Sequence, residues 1–468
     1  MKRARHQSTI GLLALATLMT GLTPAAIAQP RTSAAALPAQ ALQQVGSYSA
    51  ETGYPLKCGI CHQNYPYGNW ALPDGYVLAT RSDGLLELSR LRPNSGVLTV
   101  ETIDPTTFRV TGRHTINVSG GWKIDDDYLA SDGSLYVLTT HSNNDDSDSR
   151  EVVAVRKYDG ELQQVGIARL TSGSVPQGVN YAPATGSPAM TMLGTKLLVS
   201  MGRLLYATAG PGEHHEASMA FVVDTSTMAA AATAATYASH SFNQFVATDG
   251  SLALFLDHGD AYPRALALDE ITGYLTGMPG SCADCEVRRL DILKFRGSLG
   301  NNFTGATANG FADGPSGALT TGVADPDQHP LDGAHGNEPS LMPNAYLIST
   351  DLTTGTSRFQ WLTRNAPTNP KDVVGQPRLV QVGTDSFAIL FDQRLGRQQL
   401  LEYRLVNSAG DVLASRSWHN VQFGALGEPA VAADRIFWVS PKVESHPGSD
   451  YLRGLDVTNP MKPTLLSR

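Results

Sequence analysis

The sequence predicts an all-β protein, on three observations. Glycine (45 residues) and proline (27) are frequent while aromatic residues stay at 7%, a mix that many short strands joined by tight turns would produce. One phrase recurs: an apolar strand, a Gly/Asp turn, and a second apolar strand. It reads ALPDGYVLAT (71–80), YLASDGSLYVLTT (128–140), AMTMLGTKLLVSM (189–201), FVATDGSLALFL (245–256), LVQVGTDSFAILF (379–391) and AVAADRIFWVS (430–440), each a hairpin by pattern. A third phrase, Gly-x-Pro, stands before the first strand at Gly186-Ser-Pro, Gly375-Gln-Pro and Gly427-Glu-Pro, with a longer form at Gly336-Asn-Glu-Pro. Proline suits that position because the first residue of a strand need not donate to the ladder.

Segments ending in Asp follow most hairpins (AFVVDTSTM, ALALDEITG, YLISTDLTTG, RGLDVTNP) and read as third strands entering a turn and a fourth. Hairpin turns are expected near 74, 132, 194, 249, 343, 384 and 434. Seven units of four strands at this spacing resemble β-propeller proteins. The resemblance implies a single seven-bladed propeller, in which sheets that cannot bury both faces alone stack radially. The interval from 249 to 343 exceeds one blade, so residues 275–335, Gly-rich and irregular, are expected to be an insertion. The last blade has three clear strands, and QALQQVGSYS (40–49) is expected to close the ring. A pair of β-sandwiches would leave the Gly-x-Pro phrase unexplained.

The N-terminus reads as a signal peptide over 1–28: a basic start (Met1-Lys-Arg-Ala-Arg5), an apolar run from Ile10 to Leu22, and Ala26-Ile-Ala28 before Gln29. A segment 29–70 follows, then the propeller over 71–468. No later run reaches the roughly 18 apolar residues of a spanning helix. The expected protein is soluble and secreted or periplasmic, with no membrane span. The net charge of −8 and scattered Lys and Arg argue against a nucleic-acid groove or a patch for anionic membranes.

In a propeller the first strand lines the channel, and the loops before strand 1 and between strands 2 and 3 share a face. Before strand 1 come Trp122-Lys-Ile-Asp-Asp-Asp127, His240-Ser-Phe-Asn-Gln244, Asn337-Glu-Pro, Gln376-Pro-Arg378 and Trp418-His-Asn420 with Gly427-Glu428-Pro. Between strands 2 and 3 come the 141–149 loop, Gly212-Glu-His-His-Glu216, Asp257-His-Gly-Asp-Ala-Tyr-Pro-Arg264 and Asp392-Gln-Arg394. The opposite turns are plain Asp-Gly and Thr-Thr-Gly types. Loops on a rigid scaffold are where sites sit, so a small-molecule or protein ligand is expected on this face. The candidate ligand-binding residues are His240, Asn243, His258, Asp260, Arg264, His214, His215, Arg378 and Glu428. His, carboxylate and Arg together suit an anion or a His/Asp metal site. Neither H-E-x-x-H nor G-x-S-x-G occurs. The oxygen-rich run Asn143 to Ser149 suits Ca²⁺, but it lacks the glycine and closing glutamate of an EF-hand, so a solvated acidic loop is the expected reading.

Four cysteines form two C-x-x-C pairs, Cys58/Cys61 followed by His62, and Cys282/Cys285. Three readings stand open. Cys58-x-x-Cys61-His62 resembles the attachment motif of c-type cytochromes, which implies haem c with His62 as axial ligand. The two pairs meeting would make a Cys₄ zinc site. Disulfides are the third reading, as export permits. An exported propeller binding a ligand or partner is the leading functional expectation. A haem-bearing electron-transfer protein, or a hydrolase or lyase using His240, His258 and Asp260, are the alternatives.

Overall fold

The computed structural model describes residues 74–466, except 93, 184–187, 210–213, 234–235, 237, 283, 301–303, 325–343, 366–372 and 442–448, together with the backbone of the strand Gln44–Ser47. The described strands form seven antiparallel sheets, met in order along the chain. Blade 1 holds Tyr76–Thr80, Leu86–Leu91, Val97–Ile103 and Val110–Asn117; blade 2 holds Lys123–Leu129, Leu135–Thr140, Glu151–Tyr158 and Gln164–Thr171. Blade 3 holds Ala189–Leu193, Lys196–Leu204, Glu216–Asp224 and Ala229–Thr233; blade 4 holds Ser241–Thr248, Ala253–Asp260, Arg264–Ile271 and Val287–Lys294. Blade 5 holds Gly310–Gly314, Gly317–Ala324, Asn344–Asp351 and Thr356–Trp361. Blade 6 has a broken first strand, Val373–Val374 and Arg378–Gly383, then Ser386–Leu395, Gln398–Val406 and Val412–His419. Pro377, which has no N–H to donate, lies at the break.

Blade 7 starts with Ala430–Ala432, Arg435–Pro441 and Ser449–Asp456. Its third strand pairs with both Gln44–Ser47 and the short Thr464–Leu465. A strand from the N-terminal side therefore joins the last blade, as the 40–49 reading expects.

Seven apolar clusters lie between successive blades, and their membership closes the ring. The cluster of Tyr76, Leu78, Leu86, Leu88 and Ile103 with Ala430, Phe437, Val439 and Leu452 joins blade 1 to blade 7. The other six join blades 1–2, 2–3, 3–4, 4–5, 5–6 and 6–7. The middle strands are buried on both faces, as along Leu135–Thr140 and Ala253–Asp260, which is why they read as continuous apolar runs. Outer strands such as Val110–Asn117 are mostly exposed and polar.

Glycine before the first strand permits close approach of neighbouring blades. A methyl group on Gly427 would sit 2.2 Å from the Tyr76 carbonyl oxygen. The adjacent Gly75 N–H donates to the Leu426 carbonyl at 3.2 Å.

The sequence expectation needs three corrections. The first hairpin turns at Arg81–Leu85, and Asp74 lies ahead of strand 1. The hairpin expected near 343 is instead Gly310–Gly314 with Gly317–Ala324, and residue 344 begins a third strand. The stretch 275–335 is thus not an insertion, because it supplies the outer strand of blade 4 and the first two strands of blade 5. Each strand hides its apolar pattern for a reason. Val287–Lys294 is largely exposed. In blade 5 glycines replace larger residues, since a methyl on Gly322 would meet the Thr307 carbonyl oxygen at 1.9 Å.

Candidate functional site

In an antiparallel four-stranded blade, the start of strand 1, the end of strand 2 and the start of strand 3 share one end. Asp74, His240, Asp260, Arg264, His214, His215, Arg378 and Glu428 fall at that end of their blades. The Asp132-Gly133 and Asp249-Gly250 turns fall at the other.

A cavity of about 370 Å³ occupies the channel, walled by the inner strands of blades 1 to 6 and by Glu428. Arg378 reaches it from blade 6. Its Nη2 donates to Asp74 Oδ1 of blade 1 at 2.9 Å, and its Nη1 donates to Glu428 of blade 7. One guanidinium thus joins three blades. Burial opposes its charge, and the two carboxylates more than offset that, holding Arg378 firmly protonated. Burial outweighs the single cation at Asp74 and Glu428 and raises both from the ordinary carboxylate value.

Asp125, Asp126 and Asp127 line the same cavity from blade 2. Ile124 pairs with Thr139 and Asp126 with Leu138, so Asp125 is the extra residue of a β-bulge. Thr140 Oγ1 donates to Asp125 at 2.5 Å and Ser89 Oγ to Asp127 Oδ2 at 2.8 Å. Burial pushes Asp125 up to about 7, against Thr140 and Lys123. Burial, assisted by Glu87, pushes Asp127 up to about 8. Asp126 rises well above the ordinary range, through burial first and then through the neighbouring carboxyls of Asp127, Asp74 and Asp125. Amide and aromatic walls complete the cavity, among them Asn243, Gln244, Tyr128, Phe245 and Phe311. The sequence reading places Asp125 to Asp127 ahead of strand 1, whereas they lie within it, in Lys123–Leu129.

A second cluster bridges blades 3 and 4. His240 Nδ1 lies 3.3 Å from Oδ2 of the fully buried Asp260, and His240 Nε2 lies 3.2 Å from His215 Nδ1. A carboxylate only accepts. Nδ1–H of His240 therefore donates to Asp260, and its Nε2 accepts from Nδ1–H of His215. That leaves a lone pair on His215 Nε2, a buried atom with no hydrogen-bond partner among the described residues. The two imidazoles stack 5.4 Å apart.

The other predicted residues make contacts within and between blades. His258 is wholly buried between Phe242 and Phe295 and bonds Thr304 Oγ1 through Nε2 at 2.8 Å. Burial, with Arg264 nearby, lowers it to about 3, so it is neutral and packs as a core side chain. Arg264 donates to the backbone oxygens of Arg296 and Asp260 at 2.8 and 3.0 Å. Asn243 donates to Ala308 O at 2.9 Å and still borders the cavity. His214 Nδ1 bonds Leu205 O at 2.8 Å. In the 141–149 loop, Asp146 accepts from Asn180 Nδ2 and the Ala207 N–H, bracing neighbouring loops. A wider depression of about 500 Å³ lies beside Trp122 and His141, but it is open and its walls are mainly polar.

Cys282 and Cys285 form a disulfide, with Cα atoms 5.4 Å apart. The disulfide reading holds for this pair, and bonded sulfurs have no thiolate to offer a Cys₄ zinc site. Cys58, Cys61 and His62 lie outside the described residues. Among the described residues no three His, Cys, Asp or Glu side chains are grouped to hold a metal ion, and no helix is long and apolar enough to cross a membrane.

No protein-family model matches the sequence, and no curated protein matches it. Solved structures do. A Lactobacillus plantarum protein is similar over 80% of this chain and 92% of its own, at 12% identity and TM-score 0.46. Kuenenia stuttgartiensis hydrazine synthase is similar over 79% of this chain and 93% of the matched chain, at 12% identity and TM-score 0.44. Prolyl oligopeptidase B from Galerina marginata matches over 86% of this chain at 11% identity and TM-score 0.45, and the match spans 52% of that enzyme.

Proposed function

We propose that the protein is an exported propeller that binds a small polar ligand in its channel cavity, entered from the loop-rich end. The reading rests on the Arg378 fork. Charges from three blades meet in one cavity, with Arg378 and Asp74 largely shielded from solvent and Glu428 at the exposed rim, although desolvating an ion costs several kcal/mol. Apolar side chains would join these blades more cheaply. The cavity falls in the size range of small-molecule sites. The leader-like residues 1–28 and the Cys282–Cys285 disulfide support export.

A thermal-shift screen of small polar metabolites tests the reading. Hits should vanish in Ala189→Phe, which fills the cavity from blade 3. Hits that survive that substitution would move the site elsewhere.

The Asp260–His240–His215 relay favours a second reading, a hydrolase or lyase with His215 Nε2 as base. Asp260→Asn should then abolish turnover while leaving ligand affinity intact. A haem at Cys58, Cys61 and His62 remains a third proposal. Its test is a Soret band that survives acid-acetone extraction and disappears in Cys58→Ser.

A further inference from the structure

We infer that the open depression beside Trp122 and His141 binds an uncharged oligosaccharide. Trp122 precedes the first strand of blade 2 and His141 follows its second, which puts the depression at the loop-rich end. It shares no lining residue with the channel cavity, so the inference is independent of the channel reading.

The 141–150 loop is built as a fixed wall, although its sequence is polar and acidic. Asn143 is 0% exposed; its Nδ2 donates to the backbone oxygens of Ser147 and Val179 at 3.1 and 3.0 Å, and its Oδ1 accepts from the Ser147 N–H at 3.0 Å. The backbone oxygens of Asp148 and Arg150 accept from the N–H groups of Gly173 and Ser172. Two of the loop's carboxylates take part in the same bracing. Asp146 accepts from Asn180 and Ala207, and Asp148 accepts from the Tyr206 hydroxyl at 3.2 Å. His141 is held as well, with Nδ1 2.8 Å from the Ser142 carbonyl oxygen. That oxygen only accepts, so the neutral ring keeps its lone pair on Nε2. Trp122 and His141 meet edge to face with centroids 5.6 Å apart, and Arg156 lies over the indole.

Two glycines leave this pair uncovered. Gly120 and Gly121 are consecutive left-handed residues, with φ of +78° and +80°, a conformation that glycine adopts without strain. A methyl group on Gly120 would come 3.8 Å from Trp122 Cδ1, and one on Gly121 would come 3.1 Å from His141 Nε2.

The groups that remain set the ligand chemistry. Among the described residues the Asp145 and Arg150 side chains have no partner, and no hydrogen bond engages Trp122 Nε1 or His141 Nε2. All four residues border the depression. They supply one carboxylate, one guanidinium, one neutral donor and one neutral acceptor. Glu151, the other carboxylate of the wall, pairs with Arg169. An anion would meet Asp145 and Glu151. An organic cation would meet Arg150, with Arg156 already over the indole. A bare metal ion would find no group of three ligands among the described residues. Mixed donors and acceptors suit neighbouring sugar hydroxyls, each of which both donates and accepts. The indole offers an apolar surface to the C–H face of a pyranose. A wall fixed in advance lowers the ordering cost of binding. The depression measures about 500 Å³ and is open, so a chain of sugars can extend from it.

Titration of tryptophan fluorescence with maltotriose, cellotriose and chitotriose, paralleled by isothermal titration, tests the inference. Putrescine, inorganic phosphate and calcium chloride serve as charged contrasts. The expected result is millimolar or tighter binding of a trisaccharide with a change in emission, and no binding of the charged probes at this depression. Asp145→Ala and Arg150→Ala, both at exposed positions, should each weaken binding about tenfold or more, with circular dichroism unchanged. Trp122→Phe should remove the emission change. Ala189→Phe, which fills the channel, should leave the affinity unaltered. Failure of all three trisaccharides to bind up to about 10 mM, or binding that both alanine variants leave intact, overturns the inference. Loss of binding in Ala189→Phe also overturns it, by moving the sugar to the channel. A charged probe whose binding depends on Asp145 or Arg150 would show that the ligand class is wrong.

Discussion

Replacing Asp127 by asparagine should stabilise the protein at high pH and leave it unchanged at low pH. Asp127 is 5% exposed and sits with the bare Oε1 of Glu87 among its neighbours. Its carboxyl is raised from 3.8 to about 8, by burial first and Glu87 second. A group held above its unfolded value favours folding fully below that value and loses the contribution as pH climbs through the folded one. For Asp127 the loss therefore runs from about pH 4 to about pH 8. At roughly 1.4 kcal/mol per pH decade it amounts to about 6 kcal/mol at most. Asparagine carries no charge to bury, keeps an oxygen for the Ser89 hydroxyl, and brings N–H donors toward Glu87. Unfolding entropy of roughly 2.1 cal/mol/K per residue over about 390 residues gives about 0.8 kcal/mol per degree, so the ceiling on the shift is about 7 °C. Differential scanning calorimetry of both proteins from pH 4 to pH 9 reads it. The curves should coincide at pH 4, diverge through neutrality, and run parallel above about pH 8.5. A Tm difference that ignores pH, or a variant less stable at pH 9, refutes the account of a buried charge.

Two further outcomes test other parts of the ring. Gly427→Ala drives a methyl group into the Tyr76 carbonyl at the closure between blades 7 and 1, so it should lower Tm by several degrees, against roughly 1–3 kcal/mol for ordinary overpacking. Gly75→Ala, with nothing within 4 Å of the new atom, is the control and should change Tm by less than a degree; equal losses would remove the close-approach argument. Cys282→Ser opens a four-residue loop, worth about 2 kcal/mol on chain entropy, and should lower Tm by two to three degrees, the same loss that dithiothreitol causes in the wild type. An additional loss on reducing the variant would mean that another disulfide contributes.

The architecture was legible because a propeller repeats its burial pattern. Middle strands buried on both faces, such as Lys196–Leu204, write apolar runs into the sequence, and Asp-Gly or Gly-Thr turns separate them from the first strands. Legibility failed where the same role is filled without apolar residues. Val287–Lys294 is an outer strand whose Arg288 and Arg289 pair with Glu270 and Asp269 of the adjacent strand, so ion pairs replace the pattern. Gly310, Gly314, Gly317 and Gly322 give blade 5 its close contacts by omitting side chains. Both departures fell in 275–335, and together they resembled an insertion.

The site was legible in part, and the limit is physical. Chain order alone gives which end of a blade a residue occupies, and it places Arg378 and Glu428 at the end where they meet. Convergence across the ring is a different matter. Asp74 and Arg378 are 304 positions apart, and no local pattern couples them. Local reasoning also could not tell His240 from His258. His258 stands in the same polar phrase as Asp260, but packing turns it into the core against Phe242 and Phe295, while His240, twenty positions before Asp260 and bonded to it, meets His215 from the preceding blade. The triple aspartate shows the same limit most sharply. In a regular strand three consecutive carboxyls would alternate between faces, and at least one would enter an apolar interface. All three border the cavity, yet Asp127 turns to Ser89 and Glu87 of blade 1 and Asp125 to Thr140 of its own blade, with the one-residue bulge at Asp125 between them. Neither a one-residue bulge nor a partner in the next blade leaves a periodic trace in a sequence.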